Sequence, residues 1–296
     1  MWVQRNELRQ AHGATPNQIA ILCSEDTHYS VYKAADLLGL DVRVIPVDRT
    51  TRAMRADALA DIVEGAVAEG KKYFSCILNM GTTMFGSIDD PDLVVGAIEK
   101  HRARGVDYRL HVDAAFGGFL YPFSQPSNRL SFRDPRIVSM TMDAHKMLQA
   151  PYGTGIFLVR KGMLPYVCNE HAAYVHGKDY TLCGSRSGAN AIAAWMILRA
   201  YGSEGGKAFV QEILGRTDRL CRGLDRLGIR YFREPHMNIV TMPAEQIPAS
   251  VAHEFTLVPD SHEGDPQWWK IVVMDHVTDQ AIDSFLTSLA HARTTR

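Results

Sequence analysis

Two short segments of the sequence place ionisable side chains directly behind apolar runs. Residues 108–118 read YRLHVDAAFGG and carry Asp113, and residues 139–146 read SMTMDAHK and end in Lys146. A β-strand of this kind buries its apolar part in a sheet and brings its polar end to the crevice where open α/β sheets bind ligands. The sequence therefore predicts an acid and a lysine that converge on one crevice.

An acid and a lysine on one crevice suit pyridoxal 5'-phosphate, which needs a lysine for its Schiff base and an acid at its pyridine nitrogen. Asp113 would keep the ring nitrogen protonated, so that the ring accepts electrons when a bond to the substrate α-carbon breaks. Lys146 would hold the aldehyde until a substrate amine displaces it. Either residue alone is more often structural, as an Asp in a turn or a Lys on a solvated edge. The pair, in its context, indicates the cofactor.

The motifs resemble those of the pyridoxal-dependent group II amino-acid decarboxylases, the family of glutamate, tyrosine and aromatic amino-acid decarboxylases. The resemblance covers nearly the whole chain, and its motifs are SEDTHYS at 24–30, GTT at 81–83, HVDAAFGG at 111–118, DAHK at 143–146 and GSRSG at 184–188. It implies a lyase that decarboxylates an L-amino acid through a Schiff base on Lys146.

Apolar runs alternate with helical patterns through the first two thirds of the chain. Strands are predicted at 19–23, 42–47, 74–80, 109–115, 137–142 and 155–159, and helices at 30–40, 57–69 and 90–104. Strand-helix alternation predicts an α/β fold with a mostly parallel sheet covered on both faces. The resemblance implies the large domain of the pyridoxal-phosphate aminotransferase-like fold.

The last third of the chain predicts a smaller unit. A helix at 189–201 precedes a glycine-rich segment at 202–206, and the predicted elements that follow are a helix at 209–227, strands at 229–232, 238–242 and 269–274, and a helix at 279–291. We therefore expect a cofactor-binding large domain at 1–204 and a small C-terminal α+β domain at 205–296.

The resemblance also implies roles for residues at the strand ends. His28 would stack on one face of the cofactor ring, and Ala115, two residues after Asp113 on the same strand face, would pack under the other. Thr82 or Thr83 would meet the phenolic oxygen of the cofactor, and the sequence leaves open which one does. His145 is a candidate neighbour of the phosphate or the imine, and loop packing is the alternative.

Three tyrosines compete for the role of proton donor to the substrate α-carbon, because the family's catalytic tyrosines lie on loops whose positions vary. They are Tyr152, Tyr174 and Tyr180. Residues 184–188 form a glycine turn before a helix, which is a ready anion site. By resemblance, Ser185 and Ser187 would contact the phosphate of the adjacent subunit, which predicts a homodimer with shared active sites.

The charge balance, 32 Lys and Arg against 33 Asp and Glu, disfavours a nucleic-acid or anionic-membrane partner. No apolar run approaches the ~20 residues of a bilayer span, and the polar N-terminus does not suggest a signal peptide. Five scattered cysteines and twelve histidines show no metal-ligand spacing. We expect a cytoplasmic enzyme without a metal.

Residues 1–12 have a helix-compatible composition, and residues 1–7 resemble a family helix that normally follows a glycine-rich turn, which does not precede them here. We therefore expect that the chain lacks the family's N-terminal part, whether as a fragment, through a misassigned start, or because a partner supplies it. Two alternatives to an amino-acid decarboxylase stay open. One is a related carbon-carbon lyase of the sphingoid-base phosphate type, and the other is a catalytically inactive fragment. The intact Asp113, Lys146 and His28 argue against the second.

Overall fold

The structure is a computed structural model that describes residues 1–169, 171 and 176–294. The strands of its large sheet are β1 (Ile19–Ser24), β2 (Asp41–Ile45), β3 (Tyr73–Asn79), β4 (Asp107–Asp113), β5 (Ile137–Asp143) and β6 (Gly155–Val159). Their spatial order is β2-β1-β3-β4-β5-β6, with β1 to β5 parallel and β6 antiparallel to β5. The mostly parallel α/β sheet predicted from the sequence is confirmed.

Helices cover both faces of this sheet. The α-helices of the described residues are α1 (Trp2–His12), α2 (Ser30–Leu38), α3 (Ala56–Ala68), α4 (Pro91–Glu99), α5 (Tyr121–Ser124), α6 (Gly188–Arg226), α7 (Ala249–Glu254) and α8 (Asp279–Thr294), of which α7 and α8 pack in the C-terminal part instead. Along β1, Ile19, Ile21 and Cys23 share a buried cluster with residues of α1 and α2. Ala20 and Leu22 belong instead to the cluster that includes α3 and α4. Successive side chains of a strand point to opposite faces, so a strand that is apolar throughout is buried between two helical layers.

A second, antiparallel sheet lies in the C-terminal part. Its strands β7 (Ile239–Pro243), β8 (Val258–Pro259) and β9 (Trp268–Val272) lie in the order β7-β9-β8. Its apolar core is shared with the end of α6 and with α8. The predicted α+β character is confirmed, but the predicted strand at 229–232 is wrong, because Phe232 forms only an isolated bridge to Thr241.

The glycine-rich segment at 202–206, where the sequence predicted the domain boundary, lies within a helical stretch. The helical stretch α6 runs through it, with a kink at Gly202, where φ is 58° and ψ is −168°. Gly206 stays helical, and a Cβ there would lie 2.9 Å from the Cζ of Phe123. That glycine therefore allows α5 to approach α6 and does not end a helix. The domain boundary at residue 204 stays a prediction.

Neither a membrane span nor a metal cluster is found in the described part of the chain. None of its helices is both long and apolar enough to cross a bilayer. Nor does it hold a group of three or more His, Cys, Asp or Glu side chains suited to a metal ion.

Candidate active site

Three of the predicted site residues lie at the carboxyl edge of the large sheet. Asp113 ends β4, in register with the last residue of β3 and with Thr141 of β5. Lys146 lies in the turn after β5, and His28 lies in the turn between β1 and α2. Burial lowers the pKa of the His28 imidazole, the charge of Lys146 lowers it further, and Asp113 opposes both. The structure therefore brings the acid, the lysine and the imidazole into one electrostatic environment.

The surroundings of the Asp113 carboxyl group would favour a cationic partner. Its Oδ1 accepts the backbone N–H of Ala115 at 3.1 Å. Burial raises the pKa of the Asp113 carboxyl, and the Ala115 N–H, Lys146 and His28 only partly offset this effect. Among the described residues it forms no ion pair, so a protonated ring nitrogen would supply the partner that its carboxylate lacks. The residues present fit pyridoxal phosphate on this point.

Lys146 presents an accessible amine on the same crevice. Its side chain is 34% exposed, and its Nζ lies 3.1 Å from Oδ2 of Asp143. The neighbouring His145 donates from Nδ1 to the carbonyl oxygen of Thr154 at 3.2 Å in the appropriate tautomer, and its Nε2 lies 3.8 Å from Asp143. Asp143 was quoted in the DAHK motif but not predicted as a site residue. Its position three residues before Lys146, across one turn, was the available signal.

The structure distinguishes the two threonines that the sequence could not separate. Thr82 is buried, and its hydroxyl hydrogen-bonds that of Ser87 at 2.7 Å and accepts the Ser87 N–H at 3.1 Å. Thr83 is exposed and lines a cleft together with His28. Thr83 is therefore the more accessible of the two for a bound group, while Thr82 holds the loop together.

Other predicted residues stand apart from this centre. Tyr152 is 91% exposed, although its ring centroid lies 5.0 Å from that of His145. Tyr180 is half-buried, and Tyr174 lies outside the described residues. Ser185 and Ser187 are exposed in the turn before α6, and their side chains form no hydrogen bond to the other described residues. Within the described part of one chain, these two serines are not joined to the crevice.

A lysine of the small sheet also contributes to the site, and the sequence did not predict it. Lys270 of β9 donates from Nζ to the carbonyl oxygen of Thr83 at 2.6 Å. Burial lowers the pKa of the Lys270 ammonium, and the charge of Lys146 lowers it further. The available signal was a single lysine within the apolar segment WWKIVV at 268–273.

The cleft beside His28 has a volume of about 590 Å³, and Lys270 lies on its wall. Its aromatic lining includes Tyr29, Phe85 and Trp268. The rings of Phe85 and Trp268 meet edge to face, with centroids 5.4 Å apart. The cleft therefore combines aromatic rings with charged side chains, among them Asp26, Arg52 and Lys270, next to the crevice.

Asp89 is a buried acid behind this edge of the sheet, and burial raises its pKa to about 7. The folded protein then keeps a proton that the unfolded chain releases above about pH 4. The stability that this proton contributes is full below about pH 4 and is lost as the pH rises through about 7.

We expect wild-type stability to fall relative to Asp89→Asn between about pH 4 and pH 7.5. The difference in unfolding free energy should change by about 2–4 kcal/mol, because each pKa unit corresponds to about 1.4 kcal/mol. Urea unfolding at several pH values measures it, and the exposed Asp36→Asn serves as a control with little change. A difference that does not vary with pH would contradict the buried acid.

The comparisons with known proteins agree with this geometry. Residues 2–234 match the family model described as the pyridoxal-dependent decarboxylase conserved domain. The chain is 44% identical to a tryptophan decarboxylase of Clostridium sporogenes, over 98% of this chain and 69% of that protein. It is 32% identical to a probable L-tyrosine/L-aspartate decarboxylase of Methanosphaerula palustris, over 91% of this chain and 69% of that protein.

Two solved structures show the same fold at low sequence identity. The glutamate decarboxylase of Lactobacillus brevis matches with a TM-score of 0.79 and 19% identity, over 99% of this chain and 69% of that one. The sphingosine-1-phosphate lyase of Burkholderia pseudomallei matches with a TM-score of 0.79 and 20% identity, over 99% and 68%. At these identities the similarity supports the fold and does not separate the two reactions.

The family match, read with the half-buried acid Asp113 and the accessible Lys146 on one sheet edge, defines the class: the chain belongs to the pyridoxal-dependent decarboxylase family. It is an amino-acid decarboxylase, a carboxy-lyase whose cofactor is pyridoxal 5'-phosphate. The family, the cofactor and the reaction predicted from the sequence are confirmed. The roles of individual residues remain predictions.

Proposed function

We propose that this enzyme decarboxylates an aromatic L-amino acid and that tryptophan is its preferred substrate. The observation that carries the proposal is the 44% identity, over 98% of the chain, to the tryptophan decarboxylase of Clostridium sporogenes. The aromatic side chains of Tyr29 and Trp268 in the lining of the cleft support it, because aromatic rings pack favourably against an indole ring.

In this proposal the crevice residues hold the cofactor. The Lys146 Nζ would bind its aldehyde carbon, and the Asp113 carboxylate would accept a hydrogen bond from its ring nitrogen. His28 and Ala115 would contact its ring, and the hydroxyl of Thr83 or Thr82 would contact its phenolic oxygen. When bound, the cofactor supplies an electron sink for the carbanion that loss of carbon dioxide leaves.

A second group of residues acts on the substrate and the phosphate. The Lys270 ammonium orients the substrate carboxylate, since no carboxylate of the described residues pairs with it. Tyr152 donates a proton to the α-carbon from its hydroxyl, with Tyr174 and Tyr180 as competitors. The phosphate binds His145 and, across the subunit boundary, the turn that carries the two serines Ser185 and Ser187.

Amine release from single amino acids tests the substrate. With the purified chain and added cofactor, we expect kcat/KM for L-tryptophan to exceed that for L-tyrosine by about tenfold or more, the discrimination that an apolar pocket provides. L-Aspartate and L-glutamate should be poorer still. Preference for an acidic amino acid would contradict the proposal, as would aldehyde release from a phosphorylated sphingoid base without decarboxylation of any amino acid.

We also propose a homodimer with shared active sites. The N-terminal half of α6 and the segment before it expose large apolar side chains, namely Leu182, Ile192, Trp195, Met196, Leu198 and Tyr201, with exposures from 46% to 71%. Several large apolar side chains exposed on one segment are typical of an interface. The turn at 184–188 lies beside it, which supports the predicted contribution of that turn to a neighbouring site.

We expect wild-type protein to sediment as a dimer and Trp195→Glu to sediment as a monomer with weakened cofactor affinity, because a charge would be buried in an apolar interface. Analytical ultracentrifugation with cofactor titration measures both. Leu37→Glu is the matched control, since Leu37 is 66% exposed on α2 and should stay dimeric when changed. A wild-type monomer that binds cofactor tightly would refute the shared site.

A cytoplasmic location is the third part of the proposal. All five cysteines, Cys23, Cys76, Cys168, Cys183 and Cys221, are unpaired. Free thiols are typical of a reducing compartment. Cell fractionation that recovers the protein outside the cytoplasm would contradict this location.

A further inference from the structure

A buried polar network lies beneath the turn that carries His28. At its centre is Asn79, the last residue of β3, whose Nδ2 lies 2.8 Å from Oγ1 of Thr27 and 3.2 Å from Oγ of Ser24. The same amide donates to Oδ2 of Asp89 at 2.7 Å, and so does the backbone N–H of Asn79. These residues are buried, so the network joins the ends of β1 and β3 inside the protein.

The same turn is held from its outer side by an ion pair. Arg52 donates from Nε to Oδ2 of Asp26 at 3.0 Å, and its guanidinium carbon lies 3.8 Å from the centroid of the Phe85 ring. Asp26 is thus fixed from outside, while Thr27 is fixed from inside. His28 follows directly, and among the described residues its side chain hydrogen-bonds only to Ser30, with Nδ1 2.8 Å from Oγ.

The network contains a buried carboxyl group, that of Asp89. An ionised carboxylate in the interior is unfavourable unless it is paired, and Asp89 has no cation partner among the described residues. The position of Asp89 beside the candidate active site points to a role there. Asn79 is the register partner of Asp113, and the backbone N–H of Met80 donates to the carbonyl oxygen of Asp113 at 2.8 Å.

We propose that Asp89, Asn79 and Thr27 are positioning residues that fix the His28 imidazole over the crevice. Asp89 accepts two N–H groups of Asn79 and so orients its amide. The amide donates to the Thr27 hydroxyl, and Thr27 sets the direction in which the next side chain leaves the turn. The inference rests on the proposed role of His28 against the cofactor ring.

The Thr27→Val variant removes the last link of this chain while keeping the side-chain shape. We expect the dissociation constant of pyridoxal phosphate to rise about two- to tenfold, the range that one hydrogen bond provides. In the cofactor-free protein, the imidazole resonances of His28, assigned with His28→Gln, should shift and broaden as the ring loses its single orientation. Thr27→Ser, which keeps a hydroxyl, should restore both values.

Thr217→Val is the matched control for the loss of a buried hydroxyl. Thr217 is 0% exposed and donates to the carbonyl oxygen of Ile213 at 2.8 Å within α6, so its loss should leave cofactor affinity and the His28 resonances unchanged. If Thr27→Val keeps the wild-type His28 resonances, the positioning proposal is overturned. If His28→Gln keeps the wild-type cofactor affinity, the role of His28 is wrong, and the resonances of Thr27→Val still decide the positioning.

Discussion

The Lys146→Ala variant should lose decarboxylation by about three orders of magnitude or more, because the covalent attachment that the reaction needs is removed. It should remain folded. Lys146 lies in a turn outside the apolar core, its side chain is 34% exposed, and it pairs with Asp143, itself only partly buried. Turnover assays, the absorbance of lysine-bound cofactor and a thermal unfolding curve measure the three effects separately.

Borohydride reduction followed by peptide mapping tests the same assignment directly in the wild-type enzyme. The cofactor should be recovered on the peptide that contains Lys146. Lys270 is the alternative attachment site, because it lies close enough for the charge of Lys146 to lower its pKa. A cofactor adduct on Lys270 would contradict the assignment. Lys161→Ala changes an exposed lysine and should leave both adduct and turnover unchanged.

Asp113→Asn should retain some cofactor and lose most of the activity. A neutral amide cannot hold the ring nitrogen protonated, so the carbanion would lose its electron sink. Loss of the charged hydrogen bond alone corresponds to about 1.5–3 kcal/mol, or about one to two decades in rate, before the electronic effect is added. The two parts separate in a comparison of the dissociation constant of the cofactor with kcat.

Asp107→Asn is the control for this prediction. Asp107 begins the same strand β4 at the opposite edge of the sheet, where it pairs with Arg109 and Arg102. Its loss should affect stability and leave the activity of the folded enzyme near the wild-type value. Undiminished turnover in Asp113→Asn would contradict the role of that carboxylate.

The strand ends that carry chemistry were predictable because each follows an apolar run. The bounds of β6 match the predicted residues 155–159, and Asp113, Lys146 and His28 all lie where a strand gives way to a turn. The local sequence is sufficient to predict these strand ends, since the apolar runs of buried strands and the periodicity of helices are both patterns of neighbouring residues. The sequence shows a glycine at 202, where the helix is kinked. It does not show that the helix continues through Gly206, because that glycine makes room for Phe123 of another helix.

The parts that were missed depend on contacts between distant segments. The Lys270 ammonium and the Thr83 carbonyl are 187 residues apart in the chain. The sequence analysis did not single out Asp89, and only the three-dimensional position of Asn79 shows what it contacts. The choice between Thr82 and Thr83 likewise depends on Ser87, because the Ser87 hydroxyl and backbone N–H both hydrogen-bond the hydroxyl of Thr82.

Three successive residues of the loop after β3 contact the C-terminal part of the chain. Lys270 bonds to the carbonyl oxygen of Thr83, the Thr241 hydroxyl donates to that of Met84 at 2.7 Å, and Trp268 meets the ring of Phe85. A chimera that joined this large sheet to the C-terminal part of another decarboxylase would need a donor at 270, a hydroxyl at 241 and an aromatic ring at 268. Without them, the graft would leave a loop of the active site unsupported, so the two parts can be exchanged between relatives only together with that loop.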